Sequence, residues 1–569
     1  MTRVVAGLAA SPGIGIGFLL FYRSGVALPL VAPPRPQEIV PDQEWALFQD
    51  AHAQADAELA RLSETGNSLV AEIFAAHRLI LQDKTLLDSV HRFIYGEGLD
   101  AAAATHTAIS ELAALFGNFE DSYFADRAVD IVDLGRRLLV HLGVAVRQAD
   151  LSKLPAGIIL AAEDLTPSEL AQLPPGHVQG LALAYSTPTA HSAILARSMG
   201  IPAVCTVGPE LLHLPAGQTA IVDGNLGQLL VEIGDRELAH YTNLRARYLE
   251  AGASALAHAD RPAILRNGTP VPVLANANSP QEVAQSRASG ADGIGLLRTE
   301  YLFRGRALAP TYEEQVATYT RFMEQVNRQL TVRALDAGGD KPVEYLPHHR
   351  EENPFLGLRG IRLLIAQPEI LYTQYRALQA AAAAARGNVE VRFMLPMIST
   401  MEEISAVRAI LAAADAESGL PPLPMGIMIE VPSAALIARN LAPHVDFFSI
   451  GTNDLAQYVL ATDRTNSRVA RMADPLHPAV LTLIELTCAA AGALGKPVSL
   501  CGEIAGDPSA APLLVGLGVN ELSAPLPAVP LVKEMVRRVD MATCRALAAE
   551  ALTYDSAPRV RALVNRSLS

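Results

Sequence analysis

The stretch Asp446-Phe447-Phe448-Ser449-Ile450-Gly451-Thr452-Asn453-Asp454-Leu455-Ala456-Gln457-Tyr458 passes from a short apolar run into two adjacent polar side chains and then into helical spacing. A run of that length, closed by glycine, reads as a fully buried strand, and the helix behind it makes a β-α unit. Seven more apolar runs share the pattern: Val271 to Ala275, Gly293 to Leu297, Leu330 to Asp336, Glu390 to Met397, Met425 to Glu430, Pro497 to Cys501 and Glu521 to Ala524. Eight such units in about 300 residues predict an α/β architecture with a C-terminal (β/α)8 barrel of TIM type, spanning 262–569.

In such a barrel the reactive groups stand at the C-terminal ends of the strands. Arg298 ends the second run, and Arg333 lies in the third, ahead of Asp336-Ala337-Gly338-Gly339-Asp340-Lys341. Arg359 lies in Asn353-Pro354-Phe355-Leu356-Gly357-Leu358-Arg359. Glu430 closes the fifth run, Asn453 and Asp454 follow the sixth, Arg464 lies just beyond, and Cys501 closes the seventh with Glu503 behind it. Taken singly, an arginine or aspartate at a strand end is a surface or ion-pair residue; this many on one rim point to a site. Several guanidinium groups around one mouth match a small, highly anionic ligand. Glu430 and Asp454 would repel that ligand unless a hard cation stood between, and Mg2+ suits two carboxylates completed by substrate oxygens and water. Cys501 reads either as a small buried hydrophobe or, at a strand end, as a proton donor.

Upstream, Thr187-Pro188-Thr189-Ala190-His191-Ser192-Ala193-Ile194-Leu195-Ala196-Arg197 places an imidazole at the start of an Ala-rich helix with hydroxyls on both sides. Either the histidine caps that helix, or one ring nitrogen acts as a nucleophile beside donors that suit an incoming anion, as a phosphohistidine needs. Strand signals surround it at Gly157 to Ala161, Gly180 to Tyr185, Ala203 to Thr206 and Gln228 to Glu232, and at the N-terminus at Val4 to Ala10 and Phe18 to Tyr22. Between them the pattern turns helical. Trp45, Phe48, Ala55, Leu59 and Leu62 follow helical spacing, with Asp42 as cap and Gly66 as stop, and further helices are expected at Ser68 to Gln82, Leu86 to Tyr95, Ala101 to Phe116 and Asp121 to Leu142. The expected organisation is an α/β domain from 1–28 and 147–232, an all-helical insert at 29–146, a helical linker at 233–261, and the barrel.

At 569 residues the chain is too long for one compact core. Its 45 basic and 59 acidic residues give a net charge of -14, and without a Lys/Arg block this argues against nucleic acid as a partner. Four cysteines, at 205, 488, 501 and 544, make neither a disulfide framework nor a metal-ligand spacing, which fits a reducing compartment. The apolar N-terminal run is broken early by Ser11-Pro12-Gly13, so a signal peptide is not expected, and no run is long enough to cross a membrane. A cytoplasmic protein is the expectation.

These segments together resemble enzyme I of the bacterial sugar phosphotransferase system, within the phosphoenolpyruvate-utilising enzymes, over nearly the whole chain. The resemblance also rests on Asp164-Leu165-Thr166-Pro167-Ser168-Glu169, Gly295-Leu296-Leu297-Arg298-Thr299-Glu300, Glu351-Glu352-Asn353-Pro354-Phe355-Leu356-Gly357 and Cys501-Gly502-Glu503-Ile504-Ala505-Gly506-Asp507. It implies a swivelling phosphohistidine domain in which His191 takes the phosphoryl group of phosphoenolpyruvate. It further implies that Arg298, Arg333, Asn453, Asp454 and Arg464 contact phosphoenolpyruvate, that Glu430 and Asp454 ligate Mg2+, and that Cys501 protonates enolpyruvate to pyruvate. The helical insert would receive the histidine-containing phosphocarrier HPr, and the barrel would form a homodimer. Glu72, Phe74, His77 and Asp83, with Arg127, Asp130 and Asp133, resemble the family's partner-facing pattern; a solvated helix face accounts for the polar residues equally well.

One segment departs from the family, whose usual Gly-Gly-X-Thr-Ser-His is here Ser186-Thr187-Pro188-Thr189-Ala190-His191. Both glycines are missing, and Pro188 removes a backbone donor, so phosphorylation geometry or partner exchange is expected to differ. Two rival readings fit the sequence less well. A dikinase or phosphoenolpyruvate synthase relative needs an ATP-binding domain, for which no Gly-rich nucleotide loop is present; a non-catalytic sensor would not need Cys501.

Overall fold

The computed structural model describes residues 2–22, 39–65, 74, 77–117, 122–144, 151–188, 190–304, 306, 308–338, 343, 345–346, 351–385, 389–464, 466 and 469–566. They form two compact units, Met1–Leu249 with Thr465–Arg471, and Glu250–Arg464 with Met472–Ser569.

The first unit is built on an eight-stranded sheet of β1 (Arg3–Ala6), β2 (Leu8–Ser11), β3 (Ile14–Tyr22), β4 (Ile158–Ala162), β5 (Val178–Leu183), β6 (Ala203–Cys205), β7 (Thr219–Asp223) and β8 (Gln228–Val231). Its spatial order is β1-β8-β7-β3-β4-β5-β6-β2. The central run β3-β4-β5-β6 is parallel and the flanking pairs are antiparallel. The period-2 alternation divides β4 between two apolar layers: Ile158, Leu160 and Ala162 enter one, Ile159 and Ala161 the other.

Two strand expectations are corrected. The run Val4 to Ala10 is two strands, because the chain leaves the sheet edge beside β8 at Gly7 and rejoins beside β6. Only glycine fits there: a Cβ would lie 2.6 Å from the carbonyl oxygen of Cys205. β7 was not anticipated; it pairs with β8 across the turn at Gly224 to Gly227, too short to separate two runs by composition.

Within the chain of this unit lies a helical layer, α1 (Pro41–Thr65), α2 (Lys84–Tyr95), α3 (Ala101–Gly117) and α4 (Ser122–His141), around Phe48, Leu59, Phe74, Val90, Ile109 and Leu138. Asp42, expected as a cap, lies inside α1. Pro41 opens that helix instead, since its ring presets φ and it has no N–H to leave unpaired. Gly66 and most of the stretch Ser68 to Gln82 lie outside the described residues. The short helix α5 (Pro167–Ala171) joins the two layers: the Asp133 carboxylate accepts from Ser168 Oγ at 2.5 Å, and Arg136 approaches Glu169 at 3.7 Å. Next come α6 (His191–Ser198) and the long α7 (Asp235–Ala257), which runs past the boundary between the units.

In the second unit, among the described residues, eight parallel strands close into a barrel: β9 (Val273–Ala277), β10 (Ile294–Leu297), β11 (Arg328–Arg333), β12 (Val389–Leu395), β13 (Met425–Ile429), β14 (Phe447–Ile450), β15 (Val498–Leu500) and β16 (Glu521–Pro525). Ile427, Ile429, Phe448, Ile450, Val498 and Leu500 face the helices. Leu296, Met394, Met428, Phe447 and Cys501 form a separate inner cluster, and Arg392 pairs with Glu521 at 3.2 Å, so the interior is packed rather than open. The same alternation sends Arg333 and Glu430 inward at the far ends of their strands.

Gly295, in β10, leaves no room for a side chain: a Cβ would lie 2.7 Å from Ser523 Cβ and 3.0 Å from Leu274 Cβ. Both are one bond from the backbone and cannot swing away. Gly295→Ala is expected to lower unfolding free energy by about 1–3 kcal/mol through overpacking, measured by urea denaturation.

Candidate active site

The inward-pointing residues at the C-terminal end of the barrel make one ion-pair network. Asp336, three residues beyond β11, is fully buried between Arg359, whose Nε and Nη2 each donate at 3.1 Å, and Arg333, at 3.4 Å. Arg359 is itself fully buried and donates onward to Asp454, Nη1 to Oδ1 at 3.2 Å. Arg464 approaches the same oxygen at 3.4 Å, and Arg333 also pairs with Glu300. The Gly360 turn that delivers Arg359 has φ of 55°, and a Cβ there would lie 2.8 Å from Met397 Cγ. Met397 in turn adopts φ of 58°, left-handed for a side-chain-bearing residue, and its amide N–H donates to Glu430 Oε1 at 2.6 Å.

Charge in so dry a place shifts protonation. Burial raises the Glu430 carboxyl, Asp454 and Asp336 push it further, and Arg333 and Arg359 only partly offset them. Arg333 and Arg359, by contrast, are held charged: burial disfavours the cation, but the surrounding carboxylates outweigh it. Cys501 lies just past β15, accepting from Ser449 Oγ at 3.3 Å and lying 3.6 Å from the Ile450 carbonyl oxygen. Burial raises its thiol, so sulfur holds a proton at neutral pH; the Ser449 hydroxyl acts the other way, favouring the thiolate.

Arg298 and Asn453 sit at the margins of this network. Arg298 donates to Asn278 Oδ1 at 3.0 Å, and Asn453 Oδ1 accepts from the Glu503 amide at 3.1 Å. Of the residues singled out by sequence, Glu430, Asp454, Arg333 and Arg464 thus fall in or beside one network. Asp340 and Lys341 lie outside the described residues. Arg359, expected among the ligand-facing cations, is instead an internal counter-ion. The residues missed were Asp336, Glu300, Ser449 and the Met397 amide; Asp336, Glu300 and Ser449 stand in the motifs given above, but nothing there shows which group each meets.

His191 belongs to the first unit, at the first position of α6. The turn before it is braced by side chains: Ser192 Oγ donates to Asp164 at 2.8 Å and lies 2.6 Å from Ser186 Oγ, while the Ser186 carbonyl accepts from Thr206. Hydroxyl bridges thus hold a turn that has no glycines. His191 Nδ1 lies 3.3 Å from Asp130 Oδ1, on α4. Phe74, His77, Asp130 and Asp133, read from sequence as partner-facing or solvated, are all buried. Asp83 caps α2 by accepting from the Thr85 amide. Glu72 and the side chain of Arg127 lie outside the described residues.

Comparison with known proteins places this geometry in a family. Residues 253–541 match the PEP-binding domain of PEP-utilising enzymes, 154–227 their mobile domain, and 6–127 their N-terminal domain. The chain belongs to the phosphoenolpyruvate-utilising enzyme family. It is 40% identical to a phosphoenolpyruvate-protein phosphotransferase of Haloferax volcanii, across 98% of this chain and 98% of that protein. It is 41% identical to a multiphosphoryl transfer protein of Xanthomonas campestris pv. campestris, across 98% of this chain but 66% of that longer protein. An NMR solution structure of enzyme I is 32% identical, covering 43% of this chain and 99% of that one with a TM-score of 0.34.

Arg359 donates to both Asp336 and Asp454. Arg359→Leu is expected to lower stability by about 3–5 kcal/mol, because two buried carboxylates lose their shared cation. Chemical denaturation at neutral pH measures this. A loss below about 1 kcal/mol would mean that water reaches the carboxylates.

Proposed function

We propose that the protein transfers the phosphoryl group of phosphoenolpyruvate to His191, releasing pyruvate, and passes it on to a histidine of a phosphocarrier of the HPr type, the first step of a sugar phosphotransferase system. The observation that carries this reading is the barrel mouth, where arginines, paired carboxylates and a protonated buried thiol converge. A rim of cations alone would suit many anions. A thiol held neutral beside them suits an anion whose product needs a proton.

Arg298, Arg333 and Arg464 supply forked donors for carboxylate and phosphate oxygens, and Asn453 a neutral hydrogen-bonding group beside them. Among the described residues no group of three or more His, Cys, Asp or Glu side chains is placed to hold a metal ion. Glu430 and Asp454 nevertheless offer two hard, buried carboxylates. That donor set fits Mg2+, with its remaining positions left to ligand oxygens and water. When bound, Mg2+ would neutralise charge on the transferring phosphoryl group.

The His191 imidazole attacks phosphorus in line as the bond to the enol oxygen breaks. The resulting enolate takes its proton at C3 from Cys501, and the Ser449 hydroxyl stabilises the thiolate left behind. Because His191 and the barrel mouth lie in different compact units, the imidazole must reach two separate sites in turn, and α7, which crosses the boundary, is the hinge we propose. The division proposed from sequence, into a phosphohistidine domain, a carrier-binding insert, a linker and a phosphoenolpyruvate-binding barrel, is consistent with this cycle.

The described residues contain no helix long and apolar enough to cross a membrane, and a cytoplasmic location is part of the proposal. So is a homodimer through the barrel, for which exposed Leu436 and Leu486, on two helices packed against each other, offer apolar surface.

Incubation with phosphoenolpyruvate labelled at phosphorus, in the presence of Mg2+, should place acid-labile, base-stable label on the protein. His191→Ala should abolish that label while leaving phosphoenolpyruvate binding, measured by calorimetry, largely intact. Loss of binding in step with loss of label would defeat the two-site reading. Cys501→Ser should cut turnover by about 10²–10⁴-fold with little change in affinity, as loss of a general acid does. Unchanged turnover would return Cys501 to a packing role.

A further inference from the structure

We infer that Asp130, on the helical insert, is a positioning residue for His191: its carboxylate keeps the imidazole proton on Nδ1 and thereby leaves the Nε2 lone pair to take and give the phosphoryl group. The inference rests on the reading of His191 as phosphoryl acceptor and names the partner that prepares it.

The contact joins residues 61 apart in sequence, from two different layers of the first unit. Asp130 is 4% exposed and His77 1%, whereas the His191 side chain remains 40% exposed. Asp130 Oδ1 lies 3.3 Å from His191 Nδ1 and also 3.3 Å from His77 Nε2, so two imidazoles share one carboxylate oxygen. His77 is pinned in turn by the edge-on ring of Phe74, with centroids 5.8 Å apart. Burial alone would raise Asp130, but the imidazoles of His191 and His77 outweigh it and hold it well below the usual carboxylate range, so it is ionised whenever histidine chemistry takes place.

An ionised carboxylate accepts and cannot donate, so the nitrogen facing it must carry the proton. A neutral imidazole has one proton; held at Nδ1, it leaves the lone pair on Nε2. When Nε2 attacks phosphorus, the N–P bond forms, the P–O bond breaks, and the electron pair departs with the enolate. The ring keeps its Nδ1 proton and becomes a phosphoimidazolium whose positive charge Asp130 offsets wherever α4 and α6 are in contact. When a carrier imidazole attacks in turn, the N–P pair returns to Nε2 and no proton moves on His191. The carboxylate thus acts most directly on the half-reaction that occurs with the insert in place.

The test uses the full chain with 15N-labelled histidine, reading the ring-nitrogen shifts of His191 at neutral pH, its signal assigned by loss in His191→Ala. The wild type is expected to show the Nδ1–H tautomer. Asp130→Asn should redistribute the tautomers and slow phosphoryl exchange with a histidine phosphocarrier by about 10-fold or more, short of the roughly 10⁴-fold cost of removing the orienting carboxylate in a Ser-His-Asp triad. Asp130→Glu should restore part of both. A wild-type Nε2–H tautomer overturns the proposal, as does an Asp130→Asn protein with unchanged tautomers, even if it is slower or less stable. If Asp130→Asn does not fold, the wild-type tautomer and Asp130→Glu decide. Absence of label on wild-type His191 would instead defeat the phosphohistidine reading and leave the tautomer result standing by itself.

Discussion

The barrel mouth depends on one fully buried guanidinium. Arg359 bonds Asp336 on one side and Asp454 on the other, and these carboxylates come from segments following different strands, β11 and β14. Desolvating such a group costs several kcal/mol, repaid only when its donors are paired with good geometry. Its position is therefore set by the whole upper rim rather than by its own loop. Around it, Arg333, Arg359 and Arg464 meet Glu300, Asp336, Glu430 and Asp454, so cations and anions nearly balance before any ligand arrives. On the proposed reading, an anionic substrate would disturb that balance less when it enters with a divalent cation than when it enters alone.

The strands of the barrel were legible because most are buried on both faces, and several, such as β10 and β13, read as unbroken apolar runs. Only their ends were misjudged, as at β11, which stops at Arg333 rather than Asp336. Polar residues at those ends stood out because several follow directly on apolar runs, as Arg298 follows Leu297 and Glu430 follows Ile429. What could not be read was the pairing among them. Arg359 and Arg464 look alike in sequence, yet one is an interior counter-ion and the other lies partly exposed at the edge of the network.

The first unit shows the converse limit. The helical periodicity of the insert was plain, but which polar residues on it face water was not, because a helix pattern records one apolar stripe and says nothing of a second layer packed beside it. His77, Asp130 and Asp133 carry the composition of a solvated face and are buried against other polar groups. The Ser186 to Ala190 turn gave a related difficulty. Judged by lost glycines, its geometry or partner exchange was expected to differ; the bracing by Ser186, Ser192 and Asp164 involves residues apart in sequence.

The placement of Gly7 bears on how the first unit is made. β1 and β2 lie at opposite ends of the sheet order, yet one residue separates them, so the sheet must curl until its two edges meet. Strand edges are where chains stick to one another, and here the nine-residue segment from Arg3 to Ser11 seals both. Its partners, β6 and β8, are among the last strands of the sheet to leave the ribosome, about 200 residues later. This segment thus leaves the ribosome before the strands it docks on, and a nascent chain carries two open edges until those strands follow. The helical layer, whose contacts are local, can collapse well before that seam closes.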